Sequence, residues 1–480
     1  MILAGFLWMF SLGLYAQDKP DSDLNFMIAK IREAYAGYAD KIDPATFEQL
    51  VRNVQQSKLA DTFANYSRLT GFFRDDHLAV FQVVTLRPKD SADAVANLQT
   101  IRGGAMQLNG AKEQHGGAKD KARPKDKAME GYWLDDLHHS ILYLRKTGKE
   151  EWRGYVVETK DKAPAGYEVL RLTPDTGGRW LADYKDMSGP YRVIIGAHFR
   201  TPQVLVGGSY FKFKKIGQYV PGMLARLQPF SYDPSITPLD SQTVLIRMPD
   251  FGGYMAKVYD SLIKANFALL SRARTLIIDV RDNAGGTIRC FKPLFPLIWT
   301  NPIYEIHGLQ LCSQAVIDET RGDYASYRKA NDTARAAKML RLIDTLERNK
   351  DSFRMTGGGE FPVVQVPNSV RHVAVVMDHG SRSAAELMAL YFRQSKKVTF
   401  FGENTGGAVD YLDLLQYWLP HTHFQFWCAS TKRQITPDQP RYDGNGIPPD
   451  VPIGDDTSDW IDYVRKYYGK LDQTDKKTGS

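Results

Sequence analysis

Cysteine is scarce. Cys290, Cys312 and Cys428 are the only three in 480 residues, too few and too scattered for a disulfide framework or a zinc site, with at most one bridge and one thiol left over. An excess of charge of one sign is missing too. Sixty-two Lys+Arg against 55 Asp+Glu leave a net charge of +7, which over this length is mildly basic and does not argue for nucleic acid. Long apolar runs are absent beyond residues 1–16, which excludes a multi-span membrane protein. No internal repeat is present. What remains, 43% hydrophobic and 24% charged residues, is the composition of a folded soluble chain and not of a disordered or collagen-like one. At roughly 100–200 residues per domain, the length implies two to four domains.

Residues 1–16, MILAGFLWMFSLGLYA, stop at Gln17-Asp18. The run is short for a membrane span and fits the apolar core of a secretory signal cut near Ala16 or Gln17. The expectation is export to a periplasm or beyond, with no stable membrane span after signal removal. An uncleaved anchor is the alternative. No cysteine at the cut supports a lipid anchor.

Local pattern divides the rest. Residues 18–110 read as an N-terminal helical region. Leu24, Met27, Ile28, Ile31 and Tyr35 recur at three- and four-residue spacing, and Asp43-Pro44 marks a helix start. HLAVFQVVTL then turns β-like. Residues 111–128, rich in Gly, Lys, Ala and Asp, read as a hydrated linker. Residues 129–235 hold short aromatic strands separated by turn residues, the pattern of an all-β, lipocalin-like barrel. Residues 236–460 alternate strands and helices, which predicts α/β architecture with a mostly parallel sheet. A charged helical insertion covers 314–352. Residues 461–480 read as a helix end and a frayed tail.

Three strand ends in the α/β region carry candidate chemistry. In VVMDHGSRSAAELM, Ser383 opens a helix just after a buried strand, where unpaired N–H groups and the helix dipole favour a developing oxyanion. Ser383-Ala-Ala-Glu386 also fits a capping box. LIIDVRDNAGG ends in Gly285 and Gly286, which permit close backbone approach, and FFGENTGG ends in a similar turn.

In this order the segments resemble peptidase family S41, the tail-specific serine peptidases. Asp279-Val-Arg281-Asp-Asn283-Ala-Gly285-Gly286, Gly380-Ser381-Arg-Ser383-Ala384-Ala-Glu386, Gly402-Glu403-Asn-Thr405-Gly406-Gly407 and Gly444-Asn-Gly446-Ile447-Pro-Pro449-Asp450 stand where the family has its four motifs. The resemblance covers residues 240–460 and implies a ClpP/crotonase-like core. It implies Ser383 as nucleophile and an oxyanion hole from the N–H of Ala384 and of Gly285 or Gly286.

The serine–lysine dyad of many members is not matched. Gly406-Gly407-Ala408-Val409-Asp410 holds no lysine, and Lys396 and Lys397 precede the strand at its other end. The chain is similar instead to the tricorn-like branch, whose base is a histidine from before the core. His77, in Asp75-Asp76-His77, takes that place, and an imidazole can take and return the serine proton. His379 is the rival base. Asp443 stands at the expected orienting acid, with Asp76 as rival. Ser381 reads as a turn residue. No PDZ-type carboxylate-binding loop is present.

These readings imply an exported serine endopeptidase acting on polypeptide or oligopeptide, without cofactor or metal, and with oligomeric state left open. The alternative is an inactive relative that binds a peptide or apolar ligand through its β-rich insert.

Overall fold

The computed structural model describes residues 21–57, 61–84, 93–98, 129–137, 139–161, 163–175, 179–186, 191–208, 210–227, 230–437 and 439–478. The expected signal segment 1–17 and linker 111–128 lie outside them. N-terminal helices Asp21–Ala34, Pro44–Gln55 and Thr62–Gly71 lead into strand β1 (Ala79–Val83). Asp43 caps the second helix, accepting from the Thr46 N–H at 3.0 Å, with Pro44 following it as expected.

The all-β insert is an eight-stranded, closed, antiparallel barrel. Its strands are β2 (Gly131–Asp135), β3 (Ser140–Lys146), β4 (Trp152–Thr159), β5 (Glu168–Pro174), β6 (Trp180–Lys185), β7 (Tyr191–Thr201), β8 (Val204–Gly207) and β9 (Phe211–Ile216). Each pairs with the next, and β9 returns to β2. Along β6, Trp180, Ala182 and Tyr184 are buried while Leu181 and Asp183 turn outward, the period-two pattern of a barrel wall. Trp133, Trp152, Trp180, Phe211 and Phe213 pack into one cluster. The interior is therefore filled by side chains, not open as a ligand calyx.

The α/β core is built on a six-stranded sheet in the order β10-β11-β12-β15-β16-β19. Its strands are β10 (Ser235–Pro238), β11 (Thr243–Arg247), β12 (Thr275–Asp279), β15 (His372–Met377), β16 (Val398–Gly402) and β19 (Val451–Pro452). All pairings are parallel except that of the edge strand β10. All five residues of β12 are buried, as a parallel strand covered on both faces requires. Leu276 and Ile278 meet helices Met255–Ala265 and Ala384–Phe392 on one face. Ile277 meets Val464 and Tyr468 on the other. That second cover is the helix Trp460–Thr478, which continues where a frayed tail was expected. Val464 and Tyr468, one turn apart, anchor it on Phe401 and Ala374.

A hairpin of β17 (Tyr411–Trp418) and β18 (Gln425–Arg433) completes the arrangement. β1 pairs with β7 through one half and with β18 through the other, so the barrel wall continues into the hairpin. The N-terminal helices pack on the hairpin through Tyr35, Phe47, Phe63 and Leu69 against Leu415, Phe426 and Cys428. The helical insertion is the antiparallel pair Gln314–Lys329 and Thr333–Arg348, between β13 (Gly308–Leu311) and β14 (Phe353–Thr356). All three cysteines are free and buried.

The barrel docks onto the core through charge. Lys212 lies 2.5 Å from Glu403 and 2.7 Å from Asp455, and Arg200 lies 3.1 Å from Glu403. Burial raises the Glu403 carboxyl, but Lys212 and Arg200 outweigh it and hold it down at about 2, below its ordinary 4.5. As pH falls, the unfolded chain takes this proton first. The contact's stabilisation is therefore present above 4.5 and fades as pH drops toward 2. Urea unfolding followed at stepped pH should show the wild type losing stability through that window, and Glu403→Gln should start lower with a shallower acid limb. Identical limbs would show that the contact contributes no net stability.

Candidate active site

The turn after β15 is strained where the chemistry was expected. Ser383 has φ 53° and ψ −113°, a left-handed conformation disfavoured for a residue with a Cβ. Such a sharp strand-to-helix turn lifts a side chain clear of the backbone at the helix N-terminus. Ser383 lines a cavity of about 700 Å³, together with His77, Asp76, Gly285, Gly286 and Ala384. Segments more than three hundred residues apart in sequence thus meet in one space.

Glu386 holds the turn in place. Its buried carboxylate accepts the Ser383 N–H at 3.0 Å, the Thr405 hydroxyl at 2.5 Å, and the N–H groups of Gly407 and Ala408 at 2.9 and 2.8 Å. Burial drives its pKa up to about 7, against the pull of those four bonds. Thr405 accepts in turn from the Ile447 N–H at 2.7 Å. At Gly446, φ 74°, a Cβ would lie 2.0 Å from the Thr405 carbonyl oxygen, so only glycine fits. The second, third and fourth motifs form one hydrogen-bonded unit.

The first motif joins through Asn283, whose side chain donates to the Met248 carbonyl at 2.7 Å and accepts the Gly285 N–H at 2.9 Å. This amends one expectation. The Gly285 amide is committed to Asn283 and is not left for an oxyanion. The amides of Gly286 and Ala384 have no acceptor among the described residues. A Cβ on Gly285 would sit 2.7 Å from Ser383 Cβ, which measures how closely this turn abuts the serine.

His77 is buried in the turn before β1. Its N–H donates to Asp75 Oδ1 at 2.9 Å, and Asp75 also accepts the Tyr35 hydroxyl at 2.5 Å. Nδ1 lies 2.5 Å from the Tyr411 carbonyl oxygen. A carbonyl only accepts, so Nδ1 carries the proton and the neutral ring keeps its lone pair on Nε2.

The bond expected from Asp443 to His77 is not formed. Asp443 Oδ2 pairs with Lys41, and its N–H donates to Asp410 at 3.0 Å. Its Oδ1 makes no hydrogen bond. Burial and the nearby Asp75 push its carboxyl up to about 8 despite Lys41. Asp410, itself clamped by Arg433 at 2.7 Å, sets the loop's position. Asp76 lines the cavity and lies 4.0 Å from Arg382. His379 is not among the residues lining the cavity, and its ring faces Asp136 of the barrel at 3.8 Å. Ser381 is a turn residue, donating to the Val280 carbonyl at 2.7 Å. Among the described residues Lys432 is the one lysine lining the cavity, and its ammonium lies 2.9 Å from both oxygens of Asp40.

Sequence reasoning missed Tyr411, whose contribution is a backbone carbonyl that any residue type offers, and Lys41, an ordinary helical lysine by pattern. It also missed Tyr210, a barrel residue beneath the Arg382 guanidinium at 4.9 Å. Glu386→Ala would leave four donors without their acceptor. It should cost at least about 3 kcal/mol by urea denaturation, and an effect within about 0.5 kcal/mol would show that water replaces the carboxylate.

Residues 242–453 match the model of peptidase family S41. No curated protein matches the chain by sequence. Among solved structures, mature CPAF complexed with lactacystin is similar at 13% identity and TM-score 0.46, over 96% of this chain and 98% of that one. The photosystem II D1 C-terminal processing protease is similar at 12% and 0.38, over 94% and 97%. The tricorn protease is similar at 12% and 0.35, over 90% of this chain and 34% of its own. The four motif turns, joined in the order read from the sequence, all lie within residues 242–453, the part of the chain that matches peptidase family S41.

Proposed function

We propose that this chain is an exported serine endopeptidase, with Ser383 as nucleophile and His77 as general base. One observation carries the reading. A serine held in a strained strand-to-helix turn shares a cavity with an imidazole whose Nδ1 is engaged by a carbonyl. That engagement leaves Nε2 as the basic nitrogen, the tautomer a serine hydroxyl needs.

In this mechanism Ser383 Oγ attacks the scissile carbonyl carbon while His77 Nε2 takes the hydroxyl proton. The carbonyl oxygen becomes an oxyanion, received by the N–H groups of Gly286 and Ala384 at the positive end of the Ala384–Phe392 helix. The C–N bond breaks, and His77 returns the proton to the leaving amine. Water, deprotonated by His77, then releases the acyl group and regenerates the serine. The Tyr411 carbonyl holds the imidazole in place, the task expected of Asp443. Lys432 is kept in its ion pair with Asp40, so a serine–lysine dyad is not part of the proposal. The substrate class is polypeptide or oligopeptide. Export to the periplasm or beyond rests on the apolar segment 1–16.

A fluorophosphonate probe tests the reading. Folded wild type should be labelled and Ser383→Ala not at all. His77→Ala should be labelled at least about 100-fold more slowly, the span of a lost general base. Labelling that survives in Ser383→Ala would remove the nucleophile assignment, and undiminished labelling in His77→Ala would remove the base.

A further inference from the structure

Behind the nucleophile turn, away from the cavity, the barrel and the core bring together Asp136, Asp378 and His379. One potential ligand atom from each lies within 4.8 Å of the others. Asp136 follows β2 of the barrel, while Asp378 and His379 begin the turn that ends at Ser383.

His379 is 9% exposed, and its Nδ1 makes no hydrogen bond. That atom faces Asp136 Oδ2 at 3.8 Å, too far for a hydrogen bond. Burial, helped by Lys212 and Arg200 and opposed by Asp378 and Glu403, holds the ring below its ordinary 6.5. A buried ring nitrogen that has no hydrogen-bond partner and faces a carboxylate leaves a position that a cation would fill.

Two carboxylates lie beside this nitrogen. Asp378 Oδ1 takes the N–H groups of Asp282, Gly380 and Ser381 at 2.8–3.1 Å. Its second oxygen receives no hydrogen bond among the described residues. Burial and the neighbouring Asp135 push the Asp136 carboxyl well up, with Lys212 the opposing cation. Yet Lys212 is already shared between Glu403 at 2.5 Å and Asp455 at 2.7 Å.

We propose that Asp136, Asp378 and His379 bind one divalent cation of the zinc class, which ties the barrel to the turn carrying Ser383. One imidazole and two carboxylates suit zinc better than calcium or magnesium, which prefer oxygen alone. Two ligand atoms of a tetrahedral zinc at ~2.0–2.1 Å are ~3.4 Å apart, so the 3.8 Å pair closes by a few tenths of an ångström and the other pairs, within 4.8 Å, by at most ~1.4 Å. Two carboxylates and a neutral ring also cancel a double positive charge. The cation acts as a clamp between two units and takes no part in the chemistry, because it lies outside the cavity.

The test uses the full chain, freed of metal with chelator and titrated with Zn²⁺ alone by calorimetry, with Co²⁺ absorption as a second readout. Wild type should bind one ion per chain. Asp136→Asn and His379→Ala should each weaken binding by more than the ~10–100-fold that loss of an outer-shell partner costs. His77→Ala should retain it, which separates this site from the cavity, and circular dichroism should show all variants folded. No saturable one-to-one binding by wild type would overturn the proposal, as would equal binding by wild type and both site variants. Binding lost in His77→Ala and kept in Asp136→Asn would overturn it equally, by moving the ion to the cavity. None of these readouts depends on peptidase activity, so this proposal and the serine mechanism fail separately.

Discussion

The buried carboxylate of Glu386 is the interaction on which the site depends. Four donors from two segments, the Ser383 turn and the turn after β16, converge on it. A helix N-terminus with a left-handed residue is costly in isolation, since Ser383 adopts φ 53° and its N–H must find an acceptor. Glu386 supplies that acceptor from the first turn of the same helix and ties the helix to the turn after β16. Thr405 passes the connection on to Ile447. The capping box and the catalytic reading of Ser383-Ala-Ala-Glu386 are therefore compatible. The cap is the device that holds the serine in its strained conformation.

Around this unit the barrel is packed as a structural partner of the core. Its interior is filled, and its outer surface touches two of the motif turns. Lys212 and Arg200 reach Glu403, Asp136 faces His379, and Tyr210 underlies Arg382. Immediately after the barrel, Tyr232 donates to Asp282 of the glycine turn. A displacement of the barrel would be felt at all of these turns, because ion pairs and close packing tolerate little shift.

Much of the core was legible. β11, β12, β15 and β16 stood out because strands covered on both faces read as short apolar runs bounded by turn residues. The barrel strands stood out through alternating aromatic residues. The β17–β18 hairpin did not. Tyr411–Trp418 mixes buried and exposed positions irregularly, with Asp413 at φ 55°, because β1, the N-terminal helices and the cavity each press on part of it. The terminal helix was underestimated, since its lysine-rich end resembles a tail and Val464 and Tyr468 gain their value only against Phe401.

The site divides along the same line. Residue types and their spacing determined the four motif turns, the serine at a helix start and the missing lysine, because each is a local demand of backbone geometry or of chemistry on a short segment. Tertiary structure alone decided what lies beside His77. A carbonyl from β17 reaches Nδ1, while Asp443 is drawn to Lys41 on an N-terminal helix. It also decided that the Gly285 amide is already engaged by Asn283. Partners of this kind are fixed by long-range packing, and a backbone carbonyl or a side chain from 400 residues away leaves no mark in the local pattern.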